Sequence, residues 1–189
     1  MKPILFSTPM IQAILAGRKT QTRRVIKTQP VGEFRNDGMF EEDGCYYLER
    51  LESNHPTEDY WNIGKPRYQI GNVLYVRETW QTVLIEDMEE IYLYKADGKD
   101  YSDWKSIYGH HFVWRPSIYM PQKAARILLK VRLVRAERLQ DITEEDAKAE
   151  GFENIGEFSD LWDKLNVKRG YPFDSNPWAW VYEFERINP

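Results

Sequence analysis

The sequence predicts a mixed α+β domain built mainly of strands, with a few short helices. Three observations predict it. Apolar, β-branched and aromatic runs recur at residues 2–6, 73–80, 127–138 and 178–184. Helical spacing is confined to short windows with clear start and stop residues. Finally, 42% hydrophobic and 14% aromatic residues are enough to fill a core. Several strands with few helices suit a mixed β-barrel or an α+β layer arrangement. A length of 189 residues is that of one domain, 1–189.

Residues 2–6 form a short apolar strand. Thr8-Pro9 then starts a helix, with Thr8 as N-cap and Pro9 at the first helical position. Met10, Ile11, Ile14 and Leu15 follow at helical spacing, and Gly17 stops the helix. Residues 18–26 are polar, basic and β-capable. Residues 28–70 are rich in Gly, Asp, Glu, Asn and Pro and read as irregular excursions with one hairpin around 45–51. Gly71-Asn72 makes a turn, and residues 73–80 one strand. Residues 86–117 are polar and aromatic, with Asp97-Gly98 as a hairpin turn.

Residues 127–138 carry the longest strand signal. Ile127, Leu129, Val131 and Leu133 alternate there with Leu128, Lys130, Arg132 and Val134. Thr143, with Asp146 three residues on, is an acidic variant of the capping box and opens a short helix running to Glu150, stopped by Gly151. Phe158, Leu161, Trp162 and Leu165 have helical spacing, and residues 178–184 are a closing strand.

The charges bound the function. With 26 basic and 30 acidic residues the net charge is −4, so no global basic field exists. A nucleic-acid partner would have to use a local patch or a pocket for one nucleotide. Cys45 is the single cysteine, which excludes an intrachain disulfide and favours a reducing, cytoplasmic compartment. His55, His110 and His111 with Cys45 give no metal-ligand spacing, and no Gly-rich phosphate loop occurs. No metal and no cofactor are therefore expected. Ser7, Thr8, Pro9 and Gln12 interrupt the opening apolar stretch, which reads as strand plus helix and not as a signal peptide. No apolar run is long enough for a bilayer, so no membrane partner is expected.

The most informative stretch runs Gly17-Arg18-Lys19-Thr20-Gln21-Thr22-Arg23-Arg24. It gathers four cations and two hydroxyls just after a helix stop, where sites are often built. Cations beside hydroxyls suit a phosphate or a polarised carbonyl; a solvated basic strand is the plainer reading. Lys19 and Thr22 are three apart, so on a regular strand they would face opposite sides. A shared pocket requires irregular backbone at 18–22, for which the Gly17 stop is a cause.

GRKTQTRR after an N-terminal helix resembles the signature of the ASCH family, a branch of the PUA-like superfamily. The resemblance extends, in matching order, to the opening 27 residues, GNVLYVRETW, the segment 114–152, LWDKLN and NPWAWVYEFERI. These are similar to ASCH proteins of bacteriophages and prophages. Asn72 and Gln122-Lys123 depart from that pattern, and long insertions stand near 30–65 and 85–112. The resemblance implies a PUA-like mixed β-barrel with a few short helices. It also implies a role in binding RNA or a modified nucleoside.

Small bacterial ASCH proteins of this type are amidohydrolases acting on N4-acetylcytidine. Carried over, their catalytic set is Lys19, Thr22 and Glu150. Removing an acyl group from an exocyclic amine needs a nucleophile, a proton acceptor and oxyanion stabilisation. Thr22 would be the nucleophile. Lys19 would be its base, if burial or the neighbouring Arg18, Arg23 and Arg24 lower its pKa. Glu150 would orient the lysine or activate water; it stands at a helix C-terminus, where the dipole disfavours a carboxylate.

Other residues have two readings each. Glu78 could read a base edge or pair with an arginine. Trp80, Trp114 and Tyr75 could stack on a base or fill the core. Lys130, Arg132, Arg135 and Arg138 could join Arg18, Thr20, Arg23 and Arg24 in a phosphate-binding rim or form a solvated face. The first functional expectation is hydrolysis of N4-acylated cytidine. A non-catalytic RNA-binding module and a ribonuclease using the same basic cleft are its rivals. Oligomeric state is silent.

Overall fold

The computed structural model describes residues 1–51, 60–84, 90–104 and 112–187. His55, His110 and His111 lie outside them. In chain order the main elements are β1 (Lys2–Leu5), α1 (Thr8–Leu15), β2 (Gln21–Val25), β3 (Phe34–Glu42), β4 (Cys45–Arg50), β5 (Tyr60–Gly64), β6 (Val73–Arg77), β7 (Trp80–Leu84), β8 (Glu90–Tyr94), β9 (Leu128–Arg138), α2 (Glu144–Ala149), α3 (Ile155–Asn166) and β10 (Trp178–Ile187). The architecture is mixed α+β, strand-rich with short helices, as expected. Pairings among the described strands do not close a barrel. No helix among the described residues is long and apolar enough to cross a membrane.

The chain forms two compact units, each discontinuous in sequence. The first comprises the described residues of Met1–Lys19, Val73–Lys130 and Arg186–Pro189. Here β1 lies parallel to β6, Lys2 opposite Leu74, and β6 pairs antiparallel with the start of β9. Ile4, Phe6, Ile11, Ile14, Leu74, Val76 and Leu129 are its buried side chains. The N-cap of α1 is Ser7, one residue earlier than the sequence suggested, and makes no side-chain cap.

The single strand expected at 73–80 is two. The chain breaks at Glu78-Thr79, and β7 begins a separate hairpin with β8. Trp80 anchors that hairpin, buried with Met120 and Ala124 against Tyr92 and Tyr94. Asp97-Gly98 is not its turn. Asp97 ends a short 3-10 turn instead.

The second unit comprises the described residues of Thr20–Asn72 and Val131–Glu185. The rest of β9 continues there beside β10, and β10 pairs antiparallel with β2, setting Thr22 opposite Tyr182 and Arg23 opposite Val181. Residues 28–70, expected to be irregular, include the antiparallel sheet β3-β4-β5. Its first hairpin turns on Asp43-Gly44, both at positive φ (52° and 73°), the two-residue loop that matches strand twist. Phe34, Tyr46, Leu48 and Ile63 supply its buried face. Edge-to-face contacts of Phe34 with Trp178 and of Tyr46 with Trp180 tie that face to β10. β10 is buried on both sides from Trp178 to Tyr182, which is why it reads as a continuous apolar run.

β9 departs from strict alternation. Leu129 and Val131 are buried, then Val134 and Ala136, while Arg132 and Leu133 are both exposed. The inward set therefore changes phase once, and Leu133 points out where alternation would bury it.

The helices of this unit pack on a second cluster: Leu139, Ile142, Ala147, Phe158, Trp162 and Ala179. α3 buries Phe158, Trp162 and Asn166, every fourth residue, and leaves Leu165 exposed. Each large apolar side chain so buried contributes roughly 1.5–3 kcal/mol. The capping box of α2 forms as read: Thr143 Oγ1 accepts from the Asp146 N–H at 3.1 Å and Asp146 accepts from the Thr143 N–H at 3.2 Å. A six-residue helix depends on such end bonds as well as on packing. Thr143→Ala is expected to lower stability by about 1 kcal/mol in urea unfolding, because the Asp146 N–H loses its side-chain acceptor.

Candidate functional site

The segment after α1 is shaped by the helix end. Gly17, at φ 73°, allows a left-handed residue there. Its N–H donates to Ile14 O at 3.0 Å and the Arg18 N–H to Ala13 O at 2.9 Å, the two hydrogen bonds of a Schellman end. The Lys19 N–H reaches the same Ala13 carbonyl at 3.1 Å. Strand geometry begins only at Gln21. Lys19 and Thr22 are therefore not two residues of one flat strand. Lys19 closes the first unit, 2% exposed, with its ammonium 5.4 Å from the Phe6 ring centre. Arg18 beside it is exposed.

In the second unit, Thr20 joins two elements through its backbone. Its N–H donates to Ala149 O at the end of α2, and its carbonyl accepts from the Phe184 N–H, both at 2.8 Å. One otherwise orphaned helix carbonyl is thereby satisfied. Thr22 is fully buried, and among the described residues its Oγ1 has no hydrogen-bond partner. Glu150 is the C-cap of α2 and is 2% exposed. Gly151, at φ 92°, ends that helix with a second Schellman pair, Gly151 to Lys148 and Phe152 to Ala147.

Arg23 binds these parts together. Its side chain has no exposure. Nε and Nη2 both meet Glu137 Oε1, Nη2 lies 3.0 Å from Asp146, and Nη1 lies 3.6 Å from Glu150 Oε1. Arg135, half-buried, donates to the other oxygen of Glu137 at 2.9 Å, lies 3.4 Å from Asp146 and pairs with Glu183. Burial alone would raise the Asp146 carboxyl. Arg23 outweighs it, with the Thr143 N–H, the Gln21 side chain and Arg135, and holds Asp146 below the usual carboxylate value. Arg24 donates to Arg23 O at 3.1 Å; burial lowers its pKa, opposed first by Glu150.

A cleft of about 380 Å³ opens within this unit beside the cluster. Thr20, Gln21, Asp146, Ala149, Glu183 and Phe184 are among its walls, so Thr20 and Asp146 border solvent-accessible space.

Glu78 and Trp80 lie in the first unit. Glu78 is held by both oxygens on Arg126, at 2.9 and 3.0 Å, and Arg126 also binds Asp97 at 2.6 Å. Burial raises the Glu78 carboxyl despite Arg126, and Asp97 adds to the rise. Trp80 bridges Arg115 through its backbone and packs inward. Tyr75 is buried, while Trp114 sits in a half-exposed group with Tyr101 and Phe112. Of the basic string, Arg132 pairs with Glu185 and Arg138 donates to Asn176 O.

Sequence reasoning missed Glu137, Asp146 and Glu183 as partners of the arginines. Asp146 was visible only as a capping residue. Glu137 lies 114 residues from Arg23, and no local pattern records that pairing. Among the described residues no group of His, Cys, Asp and Glu could hold a metal ion.

No family model matches the chain, and no curated protein matches it. Among solved structures, the crystal structure of protein EF3133 from Enterococcus faecalis, described by the family model DUF984, is similar at a TM-score of 0.44 and 10% identity. The match covers 94% of this chain and 66% of that one, so this chain spans just under two thirds of that protein.

Because the folded value of Asp146 is depressed, its contribution to stability is complete above the ordinary value of 3.8 and is lost as pH falls through the folded value. Asp146→Asn is expected to flatten the pH dependence of the urea midpoint below about pH 4. An unchanged acid slope would mean that Asp146 is not held by these arginines.

Proposed function

We propose that this protein is a metal-independent amidohydrolase of the ASCH type, removing an acyl group from N4-acylated cytidine. Its scaffold in this reading is a PUA-like mixed β-barrel of phage or prophage origin, working in the cytoplasm on RNA or a free modified nucleoside. One observation carries the reading. Seven polar or charged residues are buried among those described, and Lys19, Gln21, Thr22, Arg23 and Glu150 are five of them. Four fall within five consecutive positions. Burying such groups is costly unless each is paired or used.

The reaction follows from these groups. The Thr22 hydroxyl adds to the acyl carbon as Lys19 takes its proton. The tetrahedral intermediate collapses, the bond to the exocyclic nitrogen breaks, and the amine leaves with that proton as cytidine. Water then releases the acyl group from Thr22, with Glu150 orienting the lysine or accepting a proton from the water. Lys19, 2% exposed, is the base in this reading. A buried hydroxyl with no partner among the described residues suits the nucleophile.

Purified protein incubated with N4-acetylcytidine is expected to yield cytidine by chromatography. Lys19→Ala is expected to lower the rate at least about a hundredfold, the usual share of a general base. Absence of cytidine with folded wild-type protein would reject this substrate. Binding of RNA without turnover would then favour the non-catalytic reading, and cleavage of the RNA the ribonuclease.

A further inference from the structure

We infer that Arg23 is the positioning residue for Glu150, and that Glu137 and Asp146, shared with Arg135, aim it. The role given to Glu150 rests on the proposed function; the geometry of the cluster does not.

A guanidinium is a rigid planar fork, so fixing two of its nitrogens fixes the third. Nε and Nη2 are fixed by Glu137 and Asp146, and Nη1 is left facing Glu150 at 3.6 Å. The two aiming carboxylates cannot drift, because Arg135 holds the other oxygen of Glu137 and approaches the other oxygen of Asp146, and is itself tied to Glu183. Nothing else about Arg23 is adjustable: its side chain has no exposure and stands 5.9 Å from the Phe158 ring centre. Glu150, for its part, caps the end of α2, where the helix dipole repels a carboxylate. Arg23 supplies the opposing charge. It is therefore not a ligand for a substrate phosphate, and a lysine could not replace it, since one ammonium cannot span three carboxylates.

Two measurements test this. In spectra of protein labelled with ¹⁵N-arginine, Arg23 is expected to show slow guanidinium rotation with separate Nη resonances. Glu150→Gln should shift those resonances, and the same change at the exposed Glu153 should not. Arg23 resonances indifferent to Glu150→Gln would overturn the inference, whether or not the protein is an enzyme. In kinetics on N4-acetylcytidine, Arg23→Lys is expected to lower kcat about a hundredfold with little change in KM, the scale of a misplaced catalytic group. In the Glu150→Gln background the same change should have little further effect; fully additive losses would overturn the coupling. Should Arg23→Lys fail to fold, Arg135→Gln, at a half-exposed position, takes its place, with a smaller loss in kcat and the same non-additivity expected. Wild-type protein inactive on this substrate would refute the proposed reaction alone, since the resonance experiment stands without turnover.

Discussion

A fully buried guanidinium must be neutralised on the spot, and in this protein that requirement organises the second unit. Arg23 lies on β2 with no access to water, so its counter-charges have to be brought by other elements: Glu137 by β9, Asp146 and Glu150 by the two ends of α2. Removing any one of them would strand charge in a medium that cannot solvate it. β2 must therefore keep its register against β10, α2 its length, and β9 its phase change at Arg132-Leu133. Packing alone would tolerate more freedom than this.

The two ends of α2 do different work for one purpose. Its first turn is held by the Thr143–Asp146 box, and the same Asp146 carboxylate serves Arg23 and Arg135. Its last turn is closed by Gly151 and by the Thr20 N–H on Ala149 O. A helix of six residues has almost no intrinsic stability. It persists because caps, an ion cluster and Ala147 in the core all act on it together.

Local chemistry was legible in the sequence, and long-range pairing was not. The Gly17 stop, the capping box, the C-terminal place of Glu150 and the buried strand β10 all follow from neighbours along the chain. So did the expectation of irregular backbone after Gly17, although it ends at Thr20 and not at residue 22. Asp-Gly is a hairpin signal at two places; Asp43-Gly44 forms the hairpin, whereas Asp97 ends a 3-10 turn. At Glu78-Thr79 the apolar run carries no stop signal, and Glu78 is held by Arg126, 48 residues away. For the site, residue types were legible and ion pairs were not. A run of cations looks the same whether solvated or, as with Arg23, enclosed by carboxylates.

The distance along the chain between Arg23 and its partners has a consequence for synthesis. The nearest in sequence, Glu137, comes 114 residues after it. During translation, β2 emerges long before the carboxylates that neutralise its arginine, and β10, its only described strand partner, follows every other described element. A nascent chain therefore cannot bury this strand, and its cation stays hydrated until β9, α2 and β10 have been made. Truncated products, lacking β10, keep a charged and unpaired segment in water. Assembly of the Arg23 cluster thus waits for β9, α2 and β10.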